Sequence, residues 1–127
     1  MLFLGAVSFI SLGAILGSSL RWFIINRFTS IFNENFIGIL TVNNISTFLL
    51  GFLLGLFNRY QMNLDSNSFF LFAVIGFLGS LSTFSSFIME LLQFFIDKQW
   101  KKFFLFSTLS ISAGIFVAFI GYELSNF

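Results

Sequence analysis

Residues 69–96 read FFLFAVIGFLGSLSTFSSFIMELLQFFI, and Glu90 is the only charge among them. A helix needs roughly 20 apolar residues, at about 1.5 Å each, to cross the hydrocarbon of a bilayer, and this stretch supplies more than that. Within it, Gly76 to Phe87 (GFLGSLSTFSSF) sets five hydroxyls, two glycines and the Phe84/Phe87 pair at bilayer depth. Polar groups there are expensive unless they line a path or a protein interface. The stretch therefore reads as a membrane span that handles something polar. A break in the helix is expected over Gly76 to Ser82, where Gly76, Gly79 and Ser80 are weak helix formers and hydroxyls can satisfy freed backbone groups.

Three further apolar blocks surround it. The 127 residues are 57% hydrophobic and 9% charged, against about a quarter charged in soluble domains, so a water-facing surface cannot be built. The pattern predicts an all-α membrane protein: a single domain over residues 1–127, with four transmembrane helices over about 2–25, 37–57, 69–96 and 103–124. Proline is absent, so any helix interruption must come from glycine and hydroxyl residues. A net charge of +1 without a basic run implies no nucleic-acid partner, and the lack of cysteine and histidine excludes disulfides, thiolate chemistry and most zinc sites.

The Met1 end lacks a basic n-region and a small-residue cleavage site, so the first helix is expected to be retained. These features fit a multi-pass protein of a bacterial inner (plasma) membrane. Of the polar connections, the first and third hold Arg27, Lys98, Lys101 and Lys102. The second, Asn58 to Ser68, shares its side with both termini and holds Arg59, with Asn63, Asp65 and Asn67. This bias places connections one and three in the cytoplasm and both termini outside.

Several polar constellations lie on the spans. Gly13, Gly17 and Arg21 recur every four residues on one stripe of the first helix. The glycines read as a close helix contact, while a guanidinium at that depth must snorkel, pair with a carboxylate or attract an anion. Asn43, Ser46 and Thr47 form a polar stripe on the second helix, with Asn44 about 100° away; an amide in hydrocarbon is either interhelical glue or part of a path. Gly51 and Gly55 read as packing. On the third helix, Phe84 and Phe87 share a face with Ser82, Thr83, Ser85 and Ser86 beside them. Ring edges are electropositive, so edges plus O–H and N–H donors suit an anion without a fixed positive charge to trap it. Glu90 is either a helix-end residue or a partner for Arg21 or a lysine. On the fourth helix Ser107, Ser110, Gly114, Ala118 and Gly121 form a small-residue seam, to which Ser110 and Ser112 add polar groups.

Four blocks in order resemble the small bacterial fluoride channels called Fluc or CrcB. They are G-x-x-x-G-x-x-x-R at Gly13, Gly17 and Arg21; G-x-L-x-V-N-x-x-small-[ST]-F at Gly38 to Phe48; G-F-x-G-x-x-[ST]-T-F-S-[ST]-F at Gly76 to Phe87, followed by Glu90; and S-x-x-x-G at Ser110 and Gly114. The resemblance spans nearly the whole chain. It implies an antiparallel, dual-topology dimer with two fluoride pores and a third helix broken near its middle. It implies pore-lining roles for Asn43, Phe84, Ser85, Ser86 and Phe87, with Ser110 and Ser112 on the polar track, and a vestibule role for Arg21. It also implies a structural sodium ion (Na+) at the dimer centre, held by the backbone carbonyls of Gly79 and Ser82. Fluoride, membrane lipid and a second chain are the implied partners.

Ser80, Ser46, Ile39 and Phe106 stand where that family usually has glycine, glycine, threonine and tyrosine. The lopsided loop charge is unusual for a chain that inserts both ways, so either a homodimer or a heterodimer with an oppositely oriented paralogue is expected. Two other readings compete. A small multidrug-resistance-type antiporter needs a membrane-embedded carboxylate, which the first helix lacks. A structural subunit of a membrane complex would use the seams only for packing. No constellation of base, nucleophile or metal ligands points to an enzyme.

Overall fold

A computed structural model describes residues 2–62 and 67–127. Met1 and, in the second connection, Asn63 and Asp65 lie outside the described residues. Among the described residues run four helical spans: α1 (Leu2–Phe32), α2 (Asn35–Arg59), a third span (Ser68–Ile96) and α6 (Trp100–Asn126). Each is apolar and long enough to cross a membrane. The third span is composite, made of α3 (Ser68–Phe70), a π-helical stretch (Leu71–Leu78), α4 (Gly79–Leu81) and α5 (Ser85–Ile96).

The helices outrun the apolar blocks because a helix ends where its last turn is capped, not where its side chains turn polar. In α1, Thr29 Oγ1 donates to the Ile25 carbonyl at 2.8 Å, and the Asn33 N–H reaches back to Thr29 O at 2.9 Å. Asn33 itself adopts φ 59°, the left-handed cap geometry. Gln61 and Lys98, just beyond α2 and α5, do the same at φ 47° and 56°. At the start of the third span, Asn67 Oδ1 accepts from the N–H groups of Phe69 and Phe70 at 2.9 and 3.3 Å, satisfying orphan first-turn donors.

The spans pair off backbone to backbone. A Cβ on Gly13 would meet Phe72 O and lie 2.8 Å from Phe77 N, and one on Gly76 would lie 3.1 Å from Gly13 Cα, so α1 sits directly against the π-helical stretch. Likewise a Cβ on Gly51 would collide with Ala118 O, and one on Gly121 with Phe48 O, locking α2 to α6. Small residues let backbones approach this closely where lipid offers no hydrophobic drive to association. Gly114 differs, since a Cβ there would meet nothing within 4 Å.

The spans come together on an aromatic cluster in which Ile39, Phe94 and Phe106 are buried and Phe36 and Phe87 pack against them. Edge-on contacts dominate: Phe36 to Phe94 at 5.8 Å and 70°, and Phe94 to Phe106 at 6.1 Å and 88°. Such geometry sets ring edges against ring faces. Lys102 Nζ bridges to Glu34 Oε1 at 2.6 Å, tying the start of α6 to the first connection, so connections one and three lie at the same end.

Candidate functional site

Over residues 82–84 the third span leaves helical geometry: Ser82 has φ −68° and ψ 153°, and the helix resumes at Ser85. The lapse is held open from α2. In a continuous helix the Thr83 N–H would bond the Gly79 carbonyl; instead it donates to Asn43 Oδ1 at 2.8 Å. Asn43 Nδ2 in turn donates to Thr83 O at 3.2 Å. One side-chain amide thus replaces a peptide partner on both sides of a buried residue, as backbone groups removed from water require. Thr83 Oγ1 accepts from the Ser86 N–H at 3.1 Å, covering the first turn of α5, with Ser85 Oγ 3.5 Å away.

Beside the lapse lies an open groove of about 320 Å³, lined by Asn43, Thr47, Ser82, Thr83, Phe84, Phe87, Ser110 and Ile111. No lining residue carries a formal charge. Phe84 stands out from the chain, 76% exposed, whereas Phe87 packs on Phe106 at 5.1 Å; the Phe84 and Phe87 ring centroids are 6.1 Å apart. The Ser110 hydroxyl is buried with no hydrogen-bond partner among the described residues. Ser46 Oγ shares that state one turn beyond Asn43.

The remaining anticipated residues are distributed around this groove. Ser85 and Ser86 line a second cavity of about 340 Å³ on the other side of α5, with Ile25, Asn35, Ile39, Met89 and Glu90. Ser112 is exposed and donates back to Thr108 O at 2.6 Å, outside both cavities. Arg21 Nη1 donates to the Ser82 carbonyl at 3.4 Å rather than pairing with Glu90; among the described residues the ion pair is Lys102 with Glu34. Thr83 and Thr47 complete the groove. Thr83's part depends on Asn43, 40 positions away, and no local pattern announces it.

Among the described residues no cluster of three or more carboxylate, histidine or cysteine side chains could hold a metal. The backbone offers a different donor set. With Thr83 N–H turned to Asn43, the Gly79 carbonyl lacks its helical donor, and the Ser82 carbonyl receives one long contact from Arg21. Backbone oxygens left without their helical donors are the kind of ligand a hard cation takes.

The family described as CrcB-like protein, Camphor Resistance (CrcB), matches residues 8–122. A protein of Haemophilus influenzae strain PittGG, named fluoride-specific ion channel FluC, is 45% identical over 95 residues, 75% of this chain and 73% of that one. A protein of Prochlorococcus marinus strain SARG, named fluoride-specific ion channel FluC 2, is 42% identical over 93 residues, 73% and 72% of the two chains. The protein of the same name from Prochlorococcus marinus strain NATL2A is 35% identical over 119 residues, covering 91% of this chain and 96% of its own.

Proposed function

This chain belongs to the CrcB-like family and is a multi-pass membrane protein, and from that premise we propose that it conducts fluoride. It would export the ion from the cytoplasm across a bacterial inner membrane and so reduce its toxicity. The observation that carries the reading is the charge-free groove, lined among others by Ser110, whose buried hydroxyl has no partner among the described residues and is free to turn toward the groove. A small, tightly hydrated anion needs replacement donors when it sheds water, and a fixed positive charge at the same place would hold it too long. Ser110 O–H, the second Asn43 amide hydrogen and the ring edges of Phe84 and Phe87 meet both conditions. Ser85 and Ser86 continue the donors toward the second cavity.

The working unit in this proposal is an antiparallel dimer with two pores, a homodimer or a pair with an oppositely oriented paralogue. The third span acts in it as a broken helix. The exposed Phe84 and the open flank of the groove support this, because one chain alone leaves the path unwalled. Gly79 and Ser82 carbonyls would hold a structural sodium ion at the centre of the pair; when bound, it supplies positive charge that lowers the cost of an anion in low dielectric. A proton-coupled cation antiporter is disfavoured because no carboxylate lines the groove and Glu90, in the second cavity, lies toward the end of its span.

Reconstitution of the purified chain in liposomes, followed with a fluoride electrode and alongside chloride, tests the reading. Wild type should release fluoride. Phe84→Ile and Asn43→Ala should slow release roughly tenfold or more, the factor that about 1.4 kcal/mol of lost ion stabilisation gives. Silence from the wild-type chain, both alone and reconstituted with an oppositely oriented paralogue, would leave the structural-subunit reading; unchanged rates in both variants would remove these residues from the path.

A further inference from the structure

The first span delivers a guanidinium to the point where the third span leaves helical geometry. Gly13, Gly17 and Arg21 sit on one stripe of α1, one turn apart. At Gly17 a Cβ would collide with both Phe77 O and Ser80 Oγ, so the two backbones touch just before the lapse. From there Arg21, one turn on, reaches the Ser82 carbonyl at 3.4 Å. That carbonyl lies just past the C-terminal end of α4, where carbonyls without intrahelical donors gather partial negative charge. No ion pair among the described residues occupies Arg21, so its charge is directed at this carbonyl.

We propose that Arg21 is a tethered cation for this carbonyl end, holding Ser82 in place and competing there with a free monovalent cation. Ser82 also lines the groove, so a positive charge behind its carbonyl weakens the repulsion that dipole exerts on a passing anion. Arg21 is a positioning residue in this scheme, acting through Ser82. The inference builds on the proposed sodium half-site but does not depend on fluoride passage.

Thermal unfolding of the purified full chain, in sodium chloride and in choline chloride at equal ionic strength, reads the competition directly. Arg21→Gln frees the carbonyl, so it should melt below wild type in choline chloride. Its midpoint should then rise in sodium by about 3 °C or more beyond the wild-type rise. Arg21→Lys, which keeps the charge with a poorer reach, should fall between. Arg59→Gln, whose guanidinium contacts Ser125 O instead, should respond to sodium as wild type does. An equal sodium response in wild type and Arg21→Gln, or none in either, overturns the proposal. If Arg21→Gln folds only in sodium, the competition is upheld. If it folds in neither salt, Arg21→Lys decides: a sodium response equal to wild type overturns the idea, a larger one upholds it. Fluoride release by wild type is measured separately. Normal release with a flat sodium response removes this proposal and the sodium half-site but not fluoride conduction, whereas a sodium response without release removes the channel reading alone.

Discussion

Asn43 serves as a spare peptide group for the third span, and its two hydrogen bonds explain why an amide is needed there rather than a hydroxyl or a carboxylate. Asn43→Asp keeps the acceptor for Thr83 N–H but loses the donor and introduces a charge, so its melting temperature should fall well below that of wild type in a detergent melt. Ser110→Ala should behave in the opposite sense. Its hydroxyl has no partner among the described residues, and an unsatisfied buried polar group costs about 1–3 kcal/mol, so the variant should be as stable as wild type or more so while releasing fluoride more slowly. A parallel loss of stability and rate would mark Ser110 as structural. Asn43, Phe84, Phe87 and Ser110 were legible because amides, aromatic pairs and hydroxyls stand out against an apolar span. Ser112 was not separable from Ser110 by type; only the turn of its hydroxyl onto Thr108 O takes it out of the groove. Arg21 carried three possible roles in sequence, and its acceptor is a carbonyl that no side-chain pattern could have indicated.

At the scale of elements, the helices are governed by their contacts and their ends. Gly17→Ala should overpack α1 against Phe77 and Ser80, costing about 1–3 kcal/mol, and should lower the melting temperature even though alanine is the better helix former. Lys98→Gly should act the other way. Lys98 holds φ 56°, where a side chain is penalised by about 1 kcal/mol and glycine is not, so removing it should raise the midpoint by a few degrees in the same melt. The four spans could be read from composition and block length alone. Their true ends could not all be read, because the caps at Gln61 and Lys98, unlike Asn33, use residues with no strong turn signature in a chain without proline. The π-helical geometry of Leu71–Leu78 is likewise invisible in sequence, where FAVIG reads as ordinary apolar helix. The anticipated departure over Gly76 to Ser82 overlaps the non-helical residues 82–84 at one position, since glycine marks where a helix is weak but Asn43 determines where it yields.

For the whole molecule, two glycine-locked pairs, α1 with the third span and α2 with α6, meet across the Phe36, Phe94 and Phe106 cluster. Arg27, Lys98, Lys101 and Lys102 share one end. Tags on both termini in cells should therefore report mostly outside locations; equal populations inside and outside would sink the paralogue idea and favour a homodimer. The groove that Asn43, Ser110 and Phe84 line is open along one flank. A furrow of this kind draws water down into the acyl layer for as long as nothing seals it. In the proposed dimer a second chain closes that flank, so the pair should resist unfolding in a bilayer better than a single copy does.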